Sequence, residues 1–295
     1  MSSFETVEPT LADEQQAIAG HRSVRALRTV LARLELSLVI AWATIAIAVA
    51  FALVPFAFTR YSAVDGLAAE RRMAPGIVHW LGTDELGRDL YARIVYGSVQ
   101  TLSGALIAVG VGLVVGTFLG VVAGSSRRRL DDAIMRLVDV LLALPPLLLS
   151  LSIIILLGFG TVHAAIAVGV TSIARFARLS RAEVVRVRRS DYVEAAFGSG
   201  GTFFAVLWRH VLPNSLTSVV GLAALQFGSA ILLISTLGFL GFGAPPPTPE
   251  WGLLISEGRK YISTAWWMTT FPGIAVVMVV LAANRISRAL HGRTS

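Results

Sequence analysis

Cysteine is absent from this 295-residue chain, and lysine occurs once, at Lys260. The first absence excludes disulfides and thiolate metal sites. The second goes with the lack of any G-x-x-x-x-G-K-[ST] run, so the chain has no phosphate-binding P-loop of its own. No His/Glu cluster with zinc spacing and no G-x-S-x-G occurs either, which leaves an intramembrane enzyme without reactive groups. Charge is scarce throughout. Only 15% of residues are charged against 55% hydrophobic, and the mean hydropathy is +0.72.

What is present is apolar sequence in long runs. A hydrocarbon core takes about 20 apolar residues to cross. Six runs are candidates: Leu36–Phe58, Thr101–Ala123, Leu137–Phe159, Val162–Phe176, Leu216–Phe242 and Trp266–Ala283. The fourth is short, but Arg175 and Arg178 at its end can snorkel toward headgroups. The first run follows about 35 polar residues, is longer than a signal-peptide core and ends at no clear A-x-A site, so a retained helix is expected.

Net charge of +7 raises the question of nucleic acid, and its distribution answers it. With the N-terminus placed in the cytoplasm and six alternating spans, 18 of the 25 arginines and lysines fall inside and seven outside. That asymmetry is the positive-inside rule, with both termini cytoplasmic. No nucleic-acid partner is needed to explain it.

Within the spans the signals concern packing. Gly104, Ala108, Gly112, Gly116, Gly120 and Gly124 recur every fourth residue, a continuous small face that another helix can approach closely. The expected role is a tight interface, within the bundle or with a second subunit. Pro145-Pro146 and Pro272 are expected to kink or interrupt their helices. Carboxylates are nearly missing from the spans, Asp139 lying within a turn of an end. A proton- or sodium-driven transporter would usually bury such groups or break helices near the midplane. Uphill transport by this chain would therefore draw its energy from a partner.

The stretch "DYVEAAFGSGGTFFAVLWRHVLPN" (191–214) resembles the cytoplasmic EAA loop of binding-protein-dependent ABC importer permeases. Glu194, Ala195, Ala196, Gly200, Leu212 and Pro213 fall at the positions of that pattern. Three more stretches resemble the C-type permease of the peptide/nickel importers: "HWLGTDELGRDLYARIVYG" (79–97), "MRLVDVLLALPPLLLSL" (135–151) and "LGFLGFGAPPPTPEWGLLISEGRKYISTAWWMTTFPG" (237–273). Together they tile the chain from about residue 79 to its end, in the family's order.

The resemblance implies an all-α membrane protein of six transmembrane helices with the type I ABC importer permease fold. A cytoplasmic N-terminal tail (1–33) precedes the permease domain (34–295). A cytoplasmic coupling loop at about 177–215, between spans four and five, carries a short helix that docks into a groove on an ATPase. The residues supply a physical basis for docking. Asp191 can cap a helix with Glu194 three positions on, in the manner of a capping box. Ala195 and Ala196 offer a surface without bulky side chains, and glycine then stops the helix. The implied partners are a homologous B-type permease, cytoplasmic ATPase subunits that bind ATP and magnesium, an extracytoplasmic substrate-binding protein and the bilayer of a bacterial cytoplasmic membrane. The chain itself is expected to hold no cofactor and to catalyse nothing. Oligopeptides or dipeptides are the expected cargo. Nickel or a metal chelate, and a non-transporting membrane subunit that docks an ATPase, remain alternatives.

Two departures stand out. Gly198 intrudes between E-A-A and the pattern's glycine and Gly201 follows it, so a shorter or frayed coupling helix is expected. Relatives commonly carry a glutamate in the fifth span where "AILLIST" places Ile234, so a carboxylate for a cationic or amino-terminal group is missing. Outside the membrane, residues 59–99 hold five arginines and five acids and are expected to form short surface helices. "APPPTPEWG" is either a docking rim or a rigid connector, and Trp266-Trp267 suit an interfacial belt.

Overall fold

A computed structural model of the protein describes residues 36–291. The expected N-terminal tail and the arginines before residue 36 lie outside the described residues, as does Arg293. Among the described residues the structure is helical, with one isolated β-bridge between Thr83 and Asp89.

Five helices are long and apolar enough to cross a membrane. They are α1 (Leu36–Leu53), α2 (Leu90–Ser125), α5 (Thr161–Arg188), the continuous helical stretch Phe203–Phe239, and α10, which runs Trp267–His291. The third apolar run behaves differently. It forms α3 (Arg128–Ala143) and α4 (Pro146–Leu157), set 97° apart, and only as one broken span do they make a sixth crossing. The cause is Pro145-Pro146. Neither proline has an amide to donate into α3, and each disfavours helical geometry in the residue before it. Leu144 accordingly turns extended, at φ −85° and ψ 135°. Pro272, by contrast, is absorbed inside α10.

The glycine file of α2 packs against α5 of the same chain, the two helices running in the same direction. A Cβ at Gly112 would lie 2.7 Å from the Cβ of Ser172, and one at Gly116 would lie 2.5 Å from the carbonyl oxygen of Ile173. Gly120 and Gly124 meet Ala177, Ser180 and Val184 in the same way, and Gly169 of α5 returns the contact against Val111. Backbones this close gain dispersion contacts along several turns that larger side chains would prevent.

The fourth run extends well past Phe176. α5 continues to Arg188, so the first third of the expected coupling loop is helix, and it carries Arg178, Arg181 and Arg186 with it. Arg181 forms a two-pronged ion pair with Asp131 of α3, and Arg178 pairs with Asp139, about two turns further along α3 toward the break. These contacts, with Val138 packed among Ala174 and Ala177, fasten α3 along α5.

Candidate functional site

α5 ends at Arg188 and leads directly into α6 (Asp191–Gly198), the eight-residue helix that carries E-A-A. Its mounting is specific. Val193 is fully buried in a cluster with Val184 and Val187 of α5 and with Val206 and Val211 beyond it. Arg188 donates from Nη1 to the carbonyl of Gly124 at 2.8 Å and lies over the ring of Phe203, 5.9 Å from its centroid. A cation at the C-terminal end of α2 is also favoured by that helix's dipole. The end of the glycine file therefore holds the base of the loop.

The capping box does not form. Ser190, in extended geometry, takes the N-cap position, and its hydroxyl donates backwards to the Val187 carbonyl at 2.6 Å. Asp191 and Glu194 instead sit exposed in the first turn, where negative charge suits the helix N-terminus. At the other end, the Gly200 amide bonds the Phe197 carbonyl and the Gly201 amide bonds the Ala196 carbonyl, each at 3.0 Å. That crossed pair is a Schellman stop, and it requires the left-handed residue found at Gly200, with φ +86°. Gly198 remains helical, as the last residue of α6.

The two alanines face different ways. Ala195 is exposed beside Tyr192, Glu194 and Phe197, whereas Ala196 is half-buried against the Val193 cluster. Beyond the turn, α7 (Phe203–Val206) runs through a wide stretch, Leu207–Val211, into α8 (Leu212–Phe239). The Leu212 amide reaches back five residues to the Leu207 carbonyl. Pro213 sits in α8's first turn, directly after this wide stretch.

At the opposite end of the bundle lies a second polar assembly that the sequence reading missed. Of residues 59–99, expected to form short surface helices, Ala68–Glu70 make one 3-10 turn and Leu90 onward belongs to α2, while 79–89 form an irregular, largely buried segment. Asp84 and Arg93 are buried and joined at 2.6 Å, and the same Arg93 nitrogen reaches Glu257 at 2.8 Å. Arg88, also buried, pairs with Asp84, and the Asp84 Oδ1 accepts from the amides of Leu86 and Arg88. Burial, with Asp84 and Glu257 close by, raises the Glu85 carboxyl above the ordinary range. Trp267 leaves the expected interfacial belt for the interior, donating to the Thr83 carbonyl at 3.1 Å, while Trp266 stays exposed.

The "PEWG" segment closes this assembly. Glu250 is 0% exposed and caps α9 (Trp251–Gly258), accepting from the amides of Gly252 at 2.9 Å and Leu253 at 3.1 Å. The Thr101 hydroxyl lies 3.3 Å from it. No cation offsets this burial in the contacts it makes, and desolvation pushes its carboxyl up to about 7. Trp251 donates to the Ile94 carbonyl at 2.9 Å. Ile234, where the resemblance leads to an expected glutamate, is 1% exposed and packs against Gly104, so its side chain lines no open face of this chain.

This architecture, a bundle whose central helices pack through glycine and whose short exposed helix projects from one end, matches known proteins. Residues 116–295 match the family described as "Binding-protein-dependent transport system inner membrane component". Over 211 residues the chain is 42% identical to the di/tripeptide transport system permease protein DppC of Pseudomonas aeruginosa, covering 72% of this chain and 70% of that one. It is 40% identical over 223 residues to the dipeptide transport system permease protein DppC of Alkalihalophilus pseudofirmus, covering 76% and 73%. In fold it is similar to the MetNI methionine ABC transporter in an inward-facing form, with TM-score 0.57 at 20% identity, over 68% of this chain and 97% of that one. The chain belongs to the family of inner-membrane permease components of binding-protein-dependent transport systems. It is a non-enzymatic transport subunit that crosses the membrane several times.

Proposed function

We propose that this chain is one of two homologous permeases in an ATP-driven importer of small peptides, and that α6 is its coupling helix. The supporting observation is mechanical. α6 is anchored through Val193 to the end of α5, and α5 is sealed to α2 along the glycine file, so force on the exposed Ala195 face would reach the membrane-embedded helices. Two cytoplasmic ATPase subunits would bind ATP and magnesium and move α6, and rocking of the two permeases would alternate access. An extracytoplasmic binding protein would deliver the solute. The peptide assignment is supported by relatives described as dipeptide and di/tripeptide permeases. The proposed topology puts both termini and α6 in the cytoplasm and the Glu250 assembly outside.

Two measurements test this. Since the chain has no cysteine, single cysteines report topology without background. Ser199→Cys should stay protected from an impermeant thiol reagent in intact cells, whereas Ser62→Cys should react. Labelling at 199 from outside overturns the coupling role. In reconstituted complexes, loaded binding protein should stimulate ATP hydrolysis and peptide uptake together, and Ala195→Trp should abolish both gains while complex yield is unchanged. Full stimulation in that variant would make α6 an ordinary interfacial helix.

A further inference from the structure

Arg175 is out of place in an apolar helix. It lies 14 residues past Thr161, the first residue of α5. At about 1.5 Å per residue that is about 21 Å along the helix, less than the span of a hydrocarbon layer, about 30 Å. Ala174, Phe176 and Ala177 around it are 0% exposed, while the Arg175 side chain is exposed on the open face of the bundle.

Its hydrogen bonding is lopsided. Nη1 donates to Oε1 of Gln226 at 3.3 Å, and Gln226 is itself buried, with Nε2 3.5 Å from the Ser172 hydroxyl. A fixed amide thus orients one corner of the guanidinium and leaves most of its five N–H donors uncommitted. Along the same stretch Arg178 is matched by Asp139 and Arg181 by Asp131. Among the described residues, Arg175 forms no ion pair with a carboxylate.

Hydrocarbon does not fit this face. The Arg178–Asp139 pair is more than half exposed on both sides, and open ion pairs at membrane depth belong beside protein or water. The α3–α4 break lies alongside, since Leu141 and Leu142 join the cluster of Val138, Ala174 and Ala177. Broken backbone at that depth is tolerated where it is packed in protein or lines a water-filled cavity.

We infer that Arg175, oriented by Gln226, is a solute-binding residue of the translocation pathway that takes a carboxylate, with the terminal carboxylate of a peptide as the fitting group. A guanidinium held at one corner presents a planar fork that suits a carboxylate in two-pronged contact. The fifth span itself, Leu212–Phe239, contains no Asp or Glu that would attract a cation instead. The inference rests on the peptide-importer reading and adds the residue and the group it recognises.

The test uses the complete importer with its binding protein in liposomes, supplied with a defined pool of unmodified di- and tripeptides. Peptide imported per ATP hydrolysed is measured for the wild type, Arg175→Gln and Arg175→Lys. The ratio should fall about tenfold in Arg175→Gln, the loss of a charge-assisted bond, and Arg175→Lys should recover part of it. A wild-type ratio in Arg175→Gln overturns the inference. So does a fall in complex yield that accounts for the loss, which would give Arg175 a partner on the other permease. Disappearance of the difference in pure phosphatidylcholine, with its return when phosphatidylglycerol is added, would overturn it in favour of a lipid headgroup. A wild-type complex that imports none of the pool despite stimulated ATP hydrolysis defeats the peptide reading instead.

Discussion

The two ends of this bundle are built on opposite principles. The end around Asp84, Arg93 and Glu250 buries its charges, pairing them with one another and with backbone amides while Arg93 Nε and Nη2 are left without hydrogen-bond partners. The end around α6 exposes its charges, and α6 itself buries one side chain, Val193, as its anchor. A buried ion network resists rearrangement because separating any pair strands a charge in a poor dielectric. A short helix on an apolar pivot can move as a unit. The contrast suits a membrane subunit that is braced at one end and actuated at the other.

The largest effect should come from the braced end. Arg93→Met removes the cation that joins Asp84 to Glu257 and leaves Arg88 to offset both carboxylates, and removing one partner of a buried network costs about 3–5 kcal/mol. Little folded protein should be recovered in detergent, and thermal unfolding should shift far downward. Survival of the wild-type melting point would show that the network is weak. Gly116→Leu comes next. The file packs within the chain, so the variant should destabilise the subunit itself as well as reduce complex yield. A normal melting point with impaired assembly would return the file to a subunit interface.

Comparing Ala195→Trp with Ala196→Trp sharpens the picture of the actuated end. The exposed position should block ATPase stimulation and leave melting unchanged. The half-buried one should lower the melting temperature as well, because the ring cannot fit over Val193. Equal effects in both assays would mean that α6 presents a different face.

Smaller still is a pH effect at Glu250. Its carboxyl holds the proton more tightly folded than unfolded, so the folded state binds more protons between the ordinary carboxylate range and about 7. Stability should fall as pH rises through that window and level off above it, and Glu250→Gln should flatten the curve. A wild-type curve that rises there would mean that the carboxylate is ionised and well paired. Glu194→Ala should matter least, since an exposed acid in a first turn contributes about 0.3–1 kcal/mol.

Local physics made much of this legible in the sequence. Apolar run length announces spans, a four-residue spacing of glycine announces close helix approach, and paired prolines announce a break. Glycine at 200 announced a left-handed stop, which the Schellman bonds supply. What stayed hidden depends on residues far apart in the chain. Arg93 and Glu257 are separated by 164 positions, and nothing local marks either as buried. Nor does composition reveal that the partner of α2's glycines is α5, or which alanine of the E-A-A pair is free. The expected cap failed for a local reason of another kind. Ser190 comes one residue before Asp191 and takes the extended cap position, which moves the acid into the helix.

The wide stretch at Leu207–Val211 has a rotational consequence. Residues five apart on an α-helix point about 140° away from each other, yet Val206 and Val211 are both buried in the cluster that holds Val193. The five-residue hydrogen bond from Leu212 to Leu207 lets them share a side. One surplus residue thus works as a phase shifter between the pad beneath α6 and the face that α8 turns to its neighbours. Deleting a residue there would leave each half intact and set them out of angular step, so that a push on α6 would turn the fifth span the wrong way.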